Sequence, residues 1–337
     1  MSDDLNWYDL RELTIEGKGW SDTHSFYDRL PARAQHIVRE PVWNLSRDSA
    51  GICARFKSDT TALHARWSLR KQSLAMNHMP ASGVSGLDLY TRDGQTWRWL
   101  GNGIPTTFPD NEAQLYTDLP TGTREYLLYL PLYNGVTSVA LGTSSGSTLE
   151  PANPHNARPI VFYGTSITQG GCAARPGTCH VALLGRLLDR PVLNLGFSGN
   201  GKMEREVAEL MAELDPALYV IDALPNMVAD EILQRTPELV RILQAAHPET
   251  PVLLVEDRSY ANAFLQRNHA ARNCESRAAL RQVYANLDKV DGVHYLSGDH
   301  LLGDDSDDTV DGSHPTDLGF RRHAEAFYPV LKKLVRV

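Results

Sequence analysis

The chain has 337 residues, a formal net charge of -8 and a pI near 5.8, which exceeds one ordinary domain and argues against a nucleic-acid partner needing a concentrated basic face. Four cysteines, none in a C-x-x-C pair, exclude a disulfide framework and a zinc ribbon. Met1-Ser2-Asp3-Asp4-Leu5-Asn6 carries neither a basic n-region nor an apolar h-region, and no apolar run is long enough to span a bilayer, so a cytoplasmic protein without a membrane partner is expected.

From about residue 34 to 143 the pattern is short, alternating, aromatic and β-branched, as in Gly51-Ile52-Cys53-Ala54-Arg55-Phe56 and Tyr126-Leu127-Leu128-Tyr129-Leu130. Asp93-Gly94 and Asn134-Gly135 read as hairpin turns between such runs. An all-β, jelly-roll-like sandwich over 1–150 is expected. Within it Asn77-His78 sits in a polar, turn-forming segment that could reach a substrate. Ser144 to Pro159, rich in Ser, Pro and Asn, reads as a linker.

After the linker, apolar strands near 159–163, 192–195, 218–222, 251–255 and 293–296 alternate with helical stretches near 179–189, 203–214, 236–247, 270–289 and 316–334. Continuously apolar strands imply a sheet buried on both faces, hence an α/β domain over 158–337 with a flavodoxin-like parallel five-stranded sheet. In the last helix Leu318, Phe320, Ala324, Phe327, Leu331 and Leu334 form a core stripe.

Open parallel sheets bind ligands beyond the carboxyl ends of their strands, and the polar candidates fall there. Ser166, in Gly164-Thr165-Ser166-Ile167, follows the first strand; Gly199 follows the second; Asn226 follows the third; Asp311 and His314, in Asp311-Gly312-Ser313-His314, follow the fifth. A serine hydroxyl is a weak nucleophile until a base takes its proton and an anion orients that base. His314 and Asp311 supply that pair. The backbone N–H groups of Ser166 and Gly199 and the Asn226 amide could hold an oxyanion.

Together these blocks resemble the SGNH (GDSL-type) serine hydrolases. Ser166, Gly199, Asn226 and the Asp311/His314 pair appear in that family's order over roughly 158–335. The chain departs from the family pattern at Thr165, where the family name implies aspartate, and at Pro225, where a glycine-containing turn is usual. The resemblance implies a serine esterase without cofactor or metal, with Ser166 as nucleophile, His314 as general base then acid, and Asp311 as orienting anion. The β-sandwich ahead of it resembles two-domain carbohydrate esterases, which implies short acyl esters, particularly acetyl groups on a sugar or oligosaccharide.

Other motifs compete. Gly142-Thr143-Ser144-Ser145-Gly146 matches a nucleophile elbow but continues toward Pro151 and Pro154, not into a helix. Gly196 to Lys202 has phosphate-loop spacing, making a nucleotide-binding enzyme the runner-up, but Met203 stands where Ser or Thr should meet magnesium. A non-catalytic carbohydrate-binding protein is the third reading. His64, His180 and His269 are expected at the surface or in packing, Cys53 and Cys274 in packing. Cys172 and Cys179 bracket a turn and could approach one another. Glu256-Asp257-Arg258 reads as a structural salt bridge on the catalytic side.

Overall fold

The computed structural model describes residues 5–287 and 290–335. The amino-terminal reading at 1–4 and the last two positions of the helix expected over 270–289 lie outside the described residues. The chain divides into two compact units.

The first unit comprises residues 1–32, 46–156 and 173–178. Its strands are β1 (Leu5–Asp9), β2 (Thr14–Glu16), β3 (Cys53–Ser58), β4 (Leu63–Leu69), β5 (Leu87–Asp93), β6 (Thr96–Gly103), β7 (Asp110–Tyr116), β8 (Arg124–Tyr129), β9 (Val136–Ser144) and β10 (Leu149–Pro151). One antiparallel sheet runs β1-β9-β4-β7, the other β10-β3-β8-β5-β6 with β2 on β3. Period-two patterning explains the layers, because Leu63, Ala65, Trp67 and Leu69 of β4 all point into one core. Phe56, Leu89, Tyr126 and Leu128 of the other sheet share that core.

The structure departs from two of these expectations. Asp93-Gly94 does turn β5 into β6, but Asn134-Gly135 is no hairpin, since β8 and β9 lie in different sheets. Asn134 is buried and its amide exchanges hydrogen bonds of 2.9 Å with the Lys71 main chain. Leu149–Pro151, read as linker, pairs with β3 as a strand. Compactness also assigns two segments away from their neighbours in sequence, 33–45 to the second unit and 173–178 to the first. The latter segment is held by polar contacts: Asp88, buried in β5, accepts from Gly177 N at 2.8 Å and Arg175 Nη1 at 2.6 Å.

The second unit comprises 33–45, 157–172 and 179–337 and includes most of helix α1 (Glu40–Ser46). After the single-turn α2 (Ala81–Val84) of the first unit come β11 (Ile160–Gly164), α3 (Ser166–Gln169), α4 (His180–Leu188), β12 (Val192–Gly196), α5 (Arg205–Met211), β13 (Leu218–Asp222), α6 (Ala229–Ala246), β14 (Val252–Val255), α7 (Arg267–Leu287), β15 (Val293–Leu296) and α8 (Asp317–Leu334). The parallel sheet runs β12-β11-β13-β14-β15, the flavodoxin-like order. Every residue of β11 to β14 is buried, as their unbroken apolar sequences require. Helices α4 and α8 pack together, as do α5, α6 and α7, the two groups that the usual right-handed crossover puts on opposite faces of such a sheet.

Local chemistry moved several boundaries. The helix expected over 203–214 narrows to Arg205–Met211, because Met203 takes a left-handed φ of 54°. The helix expected from 236 begins at Ala229 and runs through Pro237. Phe320, Ala324, Phe327 and Leu331 of the last stripe are buried, but Leu318 is exposed and Leu334 half-buried. Cys274 is exposed, not packed, and Cys172 and Cys179 are buried and not joined by a disulfide.

Candidate active site

The sheet order reverses at β11, so its carboxyl end and that of β13 flank the switch point where ligands collect. Strand β11 delivers Gly164, whose added Cβ would meet Thr168 Oγ1 at 2.1 Å and Asp222 O at 2.4 Å. Only glycine permits this close turn. Thr165 then caps α3, its Oγ1 accepting from Ile167 N at 3.2 Å. The family's aspartate is thus replaced by another N-cap residue, and Ser166 stands at the first helical position.

His314 Nε2 lies 2.8 Å from Ser166 Oγ, and His314 Nδ1 lies 2.7 Å from Asp311 Oδ2. The carboxylate accepts the Nδ1 proton, which leaves Nε2 as the acceptor facing the serine hydroxyl. The other carboxylate oxygen accepts from Ser313 N at 3.0 Å and His314 N at 2.8 Å, so the loop folds around its own aspartate. Burial pushes the Asp311 carboxyl up, but the hydrogen bonds from His314 and Ser313 outweigh it and hold the group below its ordinary range. Gly312, at φ 85°, makes the turn possible.

Gly199 caps the reverse turn after β12 at φ 68°, with open space around it. Among the described residues its N–H meets no acceptor. The Asn226 amide satisfies its neighbours when Oδ1 accepts from Asn200 N at 3.1 Å and Gly201 N at 3.2 Å, which leaves Nδ2 to donate elsewhere. Strands β12 and β13 therefore put both groups on one loop cluster.

Several supporting residues escaped the sequence reading. Arg39, from the segment exchanged into this unit, donates to Asn200 Oδ1 at 2.8 Å and to Glu204 at 2.7 Å, bracing the Gly199 turn. Arg272 of α7 donates to Pro225 O at 2.7 Å and Met227 O at 3.2 Å, on both sides of Asn226. No local motif announces either contact.

The phosphate-loop spacing has a different use. Lys202 N and Met203 N donate to Tyr163 Oη at 3.1 and 2.9 Å, so two of the amides there are turned inward, and α5 begins only at Arg205. Ser144 ends strand β9 instead of preceding a helix. Asn77 and His78 are exposed in the first unit, in a turn closed by paired hydrogen bonds between Met76 and Met79. A separate cavity of about 920 Å³, lined by Tyr260, Phe264, Asp299, His300 and Asp304 among others, opens beside the loop that precedes Asp311.

His180, Asp222 and His323 meet in the core with donor atoms within 4.8 Å of one another. His323 Nε2 and Asp222 Oδ2 are 4.0 Å apart, whereas donors about 2 Å from one tetrahedral ion lie roughly 3.3–3.5 Å apart. Metal-bound imidazoles also donate their outer N–H, and both ring nitrogens of both histidines lack a partner. The residues fit a neutral packing cluster better than a metal centre: His180 stacks on Phe320 with ring centroids 5.7 Å apart. Burial drives the His180 imidazole down to about 3, lowers His323 as well, and pushes the Asp222 carboxyl up to about 7.

A doubly wound sheet with a hydrogen-bonded Ser–His–Asp chain at its switch point is an arrangement suited to serine-hydrolase chemistry. The GDSL-like lipase/acylhydrolase family matches residues 157–332, and the N-terminus of the SGNH-hydrolase-type esterases matches residues 5–149. The chain belongs to the GDSL-like lipase/acylhydrolase family and is an ester hydrolase. A crystal structure described as a GDSL-like lipase from Bacteroides ovatus is similar at 31% identity and TM-score 0.94, covering 98% of each chain. A salicylyl-acyltransferase from a tetracycline biosynthetic pathway shares the fold at 19% identity and TM-score 0.77, covering 98% of this chain and 97% of its own. A family two carbohydrate esterase from Cellvibrio japonicus shares it at 15% identity and TM-score 0.62, covering 98% of each. No curated protein sequence matches the chain. Among the described residues no helix is long and apolar enough to cross a membrane.

Proposed function

We propose that the protein hydrolyses short acyl esters, particularly acetyl esters of a sugar or oligosaccharide, with Ser166 as nucleophile. The observation that carries this reading is the unbroken hydrogen-bonded chain Ser166 Oγ, His314, Asp311 at 2.8 and 2.7 Å. Ser166 Oγ attacks the acyl carbonyl carbon while its proton passes to His314 Nε2. The Asp311 carboxylate holds the imidazolium that forms. The developing oxyanion accepts from Ser166 N, Gly199 N and Asn226 Nδ2, each donor contributing about 10²–10³ in rate. His314 then protonates the departing alkoxide, and water, deprotonated by the same histidine, releases the acid from Ser166.

Family membership supports acyl-ester hydrolysis, and the preference for short acyl groups is inferred from the two-domain architecture. The sugar is supported by the shared two-domain fold of the carbohydrate esterase, and Asn77 and His78 are the candidate contacts to it. Ser166→Ala should leave the melting temperature nearly unchanged and remove activity on p-nitrophenyl acetate. Retention of more than a few per cent would reject Ser166 as nucleophile. Activity across esters of increasing chain length, and on acetylated oligosaccharides, sets the substrate class.

A further inference from the structure

The loop that carries the acid–base pair is short and half-exposed, with Asp311 open to solvent. Its internal hydrogen bonds, from Ser313 N and His314 N to Asp311, fix its shape but not its placement on the sheet. Two contacts from the segment after β14 place it: Ala261 N donates to Gly312 O at 3.0 Å, and Arg258, 1% exposed, reaches the next residue, Ser313. Arg258 Nε donates to Ser313 O at 3.2 Å, and its Nη2 donates to Ser313 Oγ. Ser313 is thereby held on every polar atom, by Asp311 at its N–H and by one guanidinium at its carbonyl and hydroxyl.

The guanidinium is itself immobile. Its Nη1 pairs with the buried Asp257 carboxylate, and its plane lies 4.4 Å from the Tyr260 ring centroid. Helix α7 fixes the backbone beneath: Asn273 Nδ2 donates to Arg258 O at 2.8 Å, and Arg277 Nε donates to Asp257 O at 2.9 Å. Burial alone would lower the arginine, but Asp257 outweighs it and keeps the side chain charged. A buried ion pair is weak evidence for a stability role, since apolar replacements are often as stable. A planar fork reaching two atoms of one residue is a geometric device, and a lysine cannot reproduce it.

We propose that Arg258 is the positioning residue for the catalytic base: clamped by Asp257, it grips Ser313 and sets His314 at hydrogen-bonding distance from Ser166. The inference rests on the reading of Ser166 and His314 given above. Misplacing a catalytic group by about 1 Å costs roughly 10²-fold, so Arg258→Lys should lower kcat on p-nitrophenyl acetate by about 10–100-fold. KM should stay within about threefold, because the uniform binding of substrate is not touched. Covalent labelling of Ser166 by a fluorophosphonate should slow in parallel, and millimolar guanidinium should partly restore the turnover of Arg258→Ala, which a merely structural role would not allow.

Because the buried arginine variants risk misfolding, Ser313→Ala is the second arm. It deletes one prong at a half-exposed site and should lower kcat about 3–10-fold, a small displacement by the same argument, with an unchanged melting temperature. If Ser313→Ala keeps wild-type kcat, or if folded Arg258→Lys is labelled at Ser166 and turns over at the wild-type rate, the positioning role is wrong. If wild-type protein is not labelled at Ser166, the catalytic reading fails and the clamp falls with it. The two failures are told apart by the wild-type labelling alone.

Discussion

Two histidine environments in the same unit show how little residue type says by itself. His314 sits on a half-exposed loop with both ring nitrogens engaged, one by Ser166 and one by Asp311. His180 and His323 are fully buried with no partner for any ring nitrogen. The first can exchange a proton with something outside the protein. The second pair is locked neutral, since burial makes the charged imidazole too costly. The catalytic role proposed for His314 thus rests on access and on a carboxylate in contact, which the buried pair, with Asp222 merely nearby, lacks.

The sharpest way to break the comparison is to remove the histidines one at a time. His314→Ala should lower kcat/KM on p-nitrophenyl acetate by about 10³–10⁶ with little change in melting temperature, because triad members act as a unit and the side chain is solvent-accessible. A loss below tenfold would place the base elsewhere. His180→Leu should do the reverse, leaving kcat within about twofold and moving stability.

Asp311→Asn comes next in size. The amide keeps the shape but offers no anion to the Nδ1 proton, which favours the wrong tautomer. Asp311 is partly exposed, so solvent screens its charge, and the loss should be nearer 10²–10³ than the roughly 10⁴ of a buried triad aspartate. An unchanged kcat would reduce the site to a Ser166/His314 pair.

This ordering also explains which parts of the molecule were legible in the sequence. Ser166, Gly199, Asn226 and the Asp311/His314 pair follow apolar strands, so each is marked by a local pattern and the parallel-sheet rule brings them together. Arg39 and Arg272 act on Asn200 and on the carbonyls around Asn226 from distant segments, and no periodicity links them to those loops. Likewise Asn134-Gly135 has hairpin composition, yet its buried amide bonds Lys71 beside the end of the β4–β9 pair, a partner distant in sequence. The exchange of 33–45 and 173–178 between the units was invisible for the same reason: local patterns identify strands and helices, not which unit a connecting segment joins.

The buried pair makes a smaller prediction with a definite sign. The folded His180 pKa is about 3, below its ordinary 6.5, so the unfolded chain binds an extra proton between these values. That contribution to stability is complete above about pH 6.5 and is lost as the pH falls toward 3. Asp222 runs the other way: its folded pKa of about 7 stabilises the protonated protein most below pH 3.8 and the benefit fades as the pH rises through 7. In denaturant melts between pH 6.5 and 4.5 the stability of the wild type should therefore fall relative to that of His180→Leu, by on the order of 2 kcal/mol. Parallel pH dependence in the two proteins would mean that His180 takes up a proton while folded.

A third histidine environment gives the smallest expected effect. His78 and Asn77 lie exposed on a polar turn of the first unit, so their substitution disturbs no core. If they contact the sugar of the ester, they do so equally in ground and transition states. Asn77→Ala and His78→Ala should then raise KM for an acetylated oligosaccharide by about 3–10-fold while leaving kcat unchanged, the signature of lost uniform binding. Hydrolysis of p-nitrophenyl acetate, which has no sugar to hold, should be unaffected. A KM for the acetylated oligosaccharide unchanged from wild type in both variants would make the turn an ordinary solvated loop, and oligosaccharide recognition would have to be sought elsewhere on the protein.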